Sequence, residues 1–201
     1  MSYNPGGCVG STYNHNYSSC HFTTNSMPGH INSAAHNKGI NPATLATIAS
    51  LETLSGSGAG GINVGCDPCN TSGAGVCQIG KAMFDKWNAW CNNKYTWCSS
   101  ICGSNYYNNL AICATFLSAA FKKLKSLGNN NQIQMMAMAA TAWNGNYCGH
   151  SNNAFYPWSG QTGYYLPESD QLTQYGASAG ALFNGSGQVG KGVLDTSISL
   201  S

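Results

Sequence analysis

Glu52 is the residue of this chain whose type and setting most invite chemistry. The sequence has only two glutamates, Glu52 and Glu168, and no arginine. Within "NPATLATIASLETLSG", Leu45, Ile48, Ala49 and Glu52 recur at i, i+3, i+4 and i+7. On a helix those positions share one face, so the carboxyl lies on the stripe that should turn towards a core. Desolvation there disfavours the anion and raises the pKa, leaving a protonated acid near neutral pH. A glycosidic general acid requires that state. The plainer reading is a half-exposed glutamate at a helix end. Asp85 and Lys86 read as ordinary solvated charges.

Ten cysteines (8, 20, 66, 69, 77, 91, 98, 102, 113 and 148) form the second chemical set. Their even number predicts up to five disulfides and an oxidising compartment, with connectivity open. Zinc held by Cys66-x-x-Cys69 and Cys98-x-x-x-Cys102 is the rival, but it leaves six cysteines unexplained. His15, His21, His30 and His36 are scattered through a polar segment and read as surface residues rather than metal ligands.

The elements that must position these residues are mostly helical. Asn41 as N-cap and Pro42 at the first helical position start a helix, which Gly56 and the "SGSGAGG" run end. Residues 57–77 read as a long Gly/Ser/Cys loop. Further helices are predicted over about 79–92, with Ile79, Met83, Trp87 and Trp90 on one stripe, then 106–127 and 132–143. The last stops at Asn144-Gly145, and its methionines read as core filling. Residues 1–40 read as an irregular extension and 41–170 as the folded domain. Residues 171–201 read as a Gly/Ser-rich extension with little to pack. The expected class is mainly α, with disulfide-stapled loops.

Composition excludes several partners. Charged residues make up 7% of the chain and the net charge is +2, so the basic stripe of a nucleic-acid binder is missing. No segment is long and apolar enough to span a bilayer. "MSYNPGGCVG" lacks the basic start and apolar run of a signal peptide. Cysteine-rich content with no visible export signal suggests carriage in a phage particle, or a periplasmic or secreted protein whose leader has been trimmed. A polar, aromatic, weakly charged surface suits an uncharged polymer such as a glycan.

Four further stretches follow the glutamate in order: "GAGVCQIGKAMF", "LAICATFLSAAFKKL", "AMAATAWNG" and "TGYYL". From residue 41 to about 166 this series resembles the lysozyme-like lytic transglycosylases of the soluble-lytic-transglycosylase family. That family has an apolar helix ending in Glu-Ser, a Gly-Leu-Met-Gln-Ile-like turn, a helix with a Tyr-Leu pair, an Ala-Tyr-Asn-Ala-Gly-like segment and a Thr-x-x-Tyr-Val-like segment. The resemblance implies a lysozyme-like helical domain with Glu52 as catalytic acid/base. Gly75 and Gln78 take the places of the second motif's glycine and sugar-contacting glutamine. Trp143 and Asn144 match the cleft-lining Tyr-Asn pair. Thr162 and Tyr165 match the last motif, whose tyrosine reaches towards the glutamate, and Tyr164 could take that part instead. Thr53 stands where serine is usual, Cys77 replaces methionine, and Gly145 follows Asn144 directly.

By that resemblance the substrate is peptidoglycan, cut at the β-1,4 bond from N-acetylmuramic acid to N-acetylglucosamine with a 1,6-anhydro product and no cofactor. One carboxylate serves both steps, first as acid and then as base. A lysozyme-type hydrolase would need a second acid on the opposite face of the sugar. Asp67, 15 residues beyond Glu52 in "CDPC", is the candidate, although Asp-Pro is also good turn chemistry. A glycan-binding or structural virion component that keeps the fold without turnover is the other alternative. Either extension could anchor the chain to a larger assembly.

Overall fold

The computed structural model describes residues 27–53, 73–101, 106–145, 155, 157–158 and 166–184. It is mainly helical. Among the described residues seven helices run in the order α1 (Met27–His36), α2 (Pro42–Thr53), α3 (Lys81–Trp90), α4 (Trp97–Ile101), α5 (Tyr106–Ser126), α6 (Gln132–Asn144) and α7 (Gln174–Asn184). Among the described residues the one β pairing is the isolated bridge between Ala74 and Ile79. No helix among them is long and apolar enough to cross a membrane.

Local chemistry sets the ends of the predicted helices. The Asn41 side chain accepts from the Ala43 N–H at 2.8 Å, and Pro42 follows as the first helical residue. Asn131 accepts from the Gln134 N–H and opens α6. Gly145, with φ of 77°, closes it in the left-handed region that glycine enters without steric cost.

At the centre stands α2. The sequence predicts one apolar stripe, yet residues 42–51 are buried on every face. Only α1, α5 and α7 around it could have revealed this. A helix that is apolar all round belongs in a core, and here Thr44, Thr47 and Ser50 are buried along with the aliphatic residues. Their hydroxyls can satisfy themselves within the helix: the Thr47 hydroxyl donates to the Ala43 carbonyl at 2.7 Å. Glu52, in the last turn, is where this buried helix comes out at a cleft.

Two segments depart from expectation. Met27–His36 lies in the stretch read as irregular, and it is a helix packed on α2 and α5 through Met27, Ile31, Ala34 and Ala35. Gln174–Asn184 lies in the stretch read as having little to pack. It is instead buried along most of its length against α6 and α2. The reason is its small residues. A Cβ added at Gly176 would come within 2.0 Å of the Thr141 hydroxyl and 2.5 Å of the Ala137 carbonyl oxygen. At Gly180 it would meet the Ala137 Cβ at 3.2 Å. Glycine at positions four apart therefore lets the backbones of α6 and α7 close on each other, and the close contact adds to the burial of Tyr175, Leu182 and Phe183. Thr173 starts α7, its hydroxyl accepting from the Gly176 N–H. One continuous set of buried side chains runs from Met27 to Phe183, so both segments share the core of residues 41–170.

Candidate active site

Glu52 sits in the wall of a cleft of about 340 Å³, together with Gly73, Gln78, Gly80, Ala82, Met83, Trp143, Asn144 and Phe155. The residue as a whole is half-buried and lines the cleft. The Tyr175 hydroxyl, carried in from α7, donates to Oε1 of Glu52 at 2.6 Å. The indole N–H of Trp143, from α6, donates to the same carboxyl. Burial raises the pKa from 4.5 to about 7, and the two hydrogen bonds pull it down without cancelling the rise. Near neutral pH the group exists in both forms, so it can give a proton and take one back. Burial, and next the charge of Glu52, push the Tyr175 phenol well above its ordinary value, so it stays a hydrogen-bond donor.

The opposite lip is built from a four-residue turn. Ala74 and Ile79 exchange backbone hydrogen bonds of 2.9 and 2.8 Å across Gly75–Gln78. Gly75 and Gln78 both have positive φ, 72° and 49°. Such a value costs a glutamine stability, and an arrangement of this kind persists only where its surroundings impose it. Asn109, fully buried on α5, imposes it. Its Oδ1 accepts from the Cys77 N–H at 2.8 Å, and its Nδ2 donates to the carbonyls of Ala74 and Ile101. A Cβ on Gly75 would lie 2.1 Å from that Nδ2, so only glycine lets the turn seat on α5. Gln78 Nε2 then bonds back to the Gly75 carbonyl at 2.9 Å, which holds its amide at the cleft.

Behind Glu52 the wall is aromatic. Phe116 of α5 meets Trp143 and Phe155 edge to face at 5.1 and 5.3 Å and also touches Trp158. These rings exclude water from the back of the carboxyl, the condition for its raised pKa.

Of the residues singled out from sequence, Glu52, Gln78, Trp143 and Asn144 come together on one cleft. Gly75 does not line it; it lies behind, against Asn109, and shapes the turn. Thr53 is the last residue of α2. Asp67, Thr162, Tyr164 and Tyr165 lie outside the described residues, as do Cys66, Cys69 and Cys102. The tyrosine seen on the glutamate is Tyr175, ten positions beyond Tyr165, within "LTQYG". Tyr175 and Asn109 are not among the residues singled out from sequence. A Thr-x-Tyr pair opening a helix was the signal for the first; nothing local marks the second. Among the described residues Glu52 is the one carboxylate on the cleft, and no group of three His, Cys, Asp or Glu side chains could hold a metal ion. Comparisons with protein-family models, with curated proteins and with solved structures found no match to this chain.

Proposed function

We propose that this chain is a lysozyme-like lytic transglycosylase that cleaves peptidoglycan strands at the N-acetylmuramic acid–N-acetylglucosamine bond. The observation that carries the proposal is Glu52, a carboxylic acid with a pKa raised to about 7, set in a cleft wall and fixed by two hydrogen-bond donors. Aromatic and amide side chains, the groups suited to an uncharged sugar polymer, share that cleft with it.

The proposed reaction starts with protonated Glu52. It donates to the glycosidic oxygen, and the bond from that oxygen to the anomeric carbon breaks. The substrate's own N-acetyl group stabilises the developing oxocarbenium. Glu52, now a carboxylate, removes the proton from the C6 hydroxyl, and O6 closes on the anomeric carbon to give the 1,6-anhydro ring. The proton returns to Glu52 and no second acid is spent. Tyr175 and Trp143 stabilise the anion that exists between the two steps. The glutamine amide of Gln78 and the side chains of Trp143 and Asn144 orient the sugars. Wall degradation of this kind belongs outside the cytoplasm, in a virion or in the periplasmic or secreted space.

Incubation of the protein with purified peptidoglycan, followed by mass analysis of the released muropeptides, tests the proposal. Anhydro ends are expected. Reducing ends, heavier by one water, would make the protein a hydrolase and return Asp67 to candidacy as the second carboxylate. Full activity in Glu52→Gln would sink the assignment of the acid. Binding without release by the wild type would favour the inactive glycan-binding alternative.

A further inference from the structure

Beneath the cleft lies a pair of side chains that the proposed chemistry does not use. We infer that Cys77 and Cys113 are joined by a disulfide in the protein folded under oxidising conditions, fastening the Gln78 turn to α5. Both are thiols in this structure and both are fully buried within the core. The two side chains lie close enough for the Cys77 thiol to bear on the ionisation of Cys113. The backbone explains how they come to face each other. Asn109 Oδ1 holds the Cys77 N–H at 2.8 Å, and Cys113 stands one helical turn beyond Asn109 on the same face of α5. The turn is thus registered on α5 by a separate contact, which brings Cys77 to the stretch of α5 that carries Cys113.

Other roles for the pair fit less well. Among the described residues no third ligand stands near to make a metal site. Burial, and next the hydrogen bond to Cys77, push the Cys113 thiol well above its ordinary pKa, so it is not the accessible thiolate of a redox sensor or a nucleophile. A closed core also excludes oxidants, so the bond forms during folding. A small-molecule disulfide such as oxidised glutathione serves as oxidant. One protein thiolate attacks it and releases one thiol, the second protein thiol attacks the mixed disulfide, and a second thiol leaves. Two protons and two electrons leave the protein, and the oxidant becomes two thiols.

Peptide mapping of the full chain refolded with oxidised glutathione, alkylated in denaturant without reductant, tests the inference directly. The expected product is a peptide pair in which Cys77 is linked to Cys113, 2 Da lighter than the two thiol peptides. Alkylation of either cysteine in that sample, or its linkage to another cysteine, would overturn the assignment. A thermal measurement supplies the second arm. The bond closes the segment from 77 to 113, and a loop of that size should raise Tm by roughly 8–15 °C. The fall in Tm on reduction should therefore be smaller by that amount in Cys77→Ala than in the wild type. Equal falls in the two proteins would count against the bond, and if the variant does not fold the mapping decides alone.

Discussion

Replacing Glu52 by glutamine should make the protein more stable above neutral pH while removing its proposed activity. In the unfolded chain the carboxyl ionises near 4.5, and in the folded protein near 7. Between those values the native state binds more protons, so stability falls as pH rises through this window and levels off above about 7. The contribution is fully present below pH 4.5. Its loss amounts to about 1.4 kcal/mol at pH 5.5 and about 3 kcal/mol at pH 8, from the ratio of the two ionisation constants. Glutamine keeps the shape and can accept the Tyr175 hydrogen bond but cannot ionise. Its stability should match the wild type at pH 4 and exceed it by about 3 kcal/mol at pH 8, a Tm difference of roughly 6–12 °C for a chain of this size. Thermal unfolding of both proteins at half-unit steps from pH 4 to 9 measures this. Every other titrating group is common to the two proteins, so the difference curve isolates Glu52. Parallel curves would show that Glu52 has an ordinary pKa and would refute the placing of a desolvated acid at this cleft.

Three further substitutions, with Lys81→Ala as an exposed control, probe the parts that hold the acid. Tyr175→Phe removes a hydrogen bond that favours the anion, so the pKa of Glu52 should move further up. The pH profile of turnover should shift in the same direction, with at least a tenfold loss in rate on the scale of about 1.5–3 kcal/mol for a bond to a charged group. Asn109→Leu strands the Cys77 N–H and two carbonyls in the core. Denaturant unfolding should show a loss of about 3 kcal/mol or more, in contrast to about 1 kcal/mol for Lys81→Ala, which breaks an exposed ion pair with Asp85 and a cation–π contact with Trp97. Gly176→Leu forces side-chain atoms into Thr141 and the Ala137 carbonyl. It should lower stability by about 2 kcal/mol or more, with increased amide exchange in both α6 and α7.

What could be read ahead of the structure was whatever depends on near neighbours in the chain. Asn41-Pro42 and Asn144-Gly145 mark helix ends because capping involves only the next few residues. Glu52 stood out because so few charges surround it. The burial of α2 on all sides, by contrast, is decided by α1, α5 and α7, and α1 and α7 had been read as extensions. Composition hid α7 for a physical reason. Glycine and alanine look like filler to a reading based on apolar side chains, yet against a complementary helix they permit a close approach of the two backbones. Tyr175 reaches Glu52 across 123 positions of sequence, a contact that exists only once α2, α6 and α7 have packed. Asn109 looks like any other polar residue in "NYYNNL" until Gly75 is seated on it.

The seam between α6 and α7 works as a ruler. Its zero is set by the absence of side-chain atoms at Gly176 and Gly180, and its far mark is the phenol oxygen of Tyr175 against the carboxyl. Thickening the seam by the width of one methyl group would move that oxygen relative to Glu52, and hydrogen bonds weaken over tenths of an ångström. The acid strength of the carboxyl is therefore graduated by helix spacing. Substitutions along that seam would shift the pKa of Glu52 without altering any residue that lines the cleft.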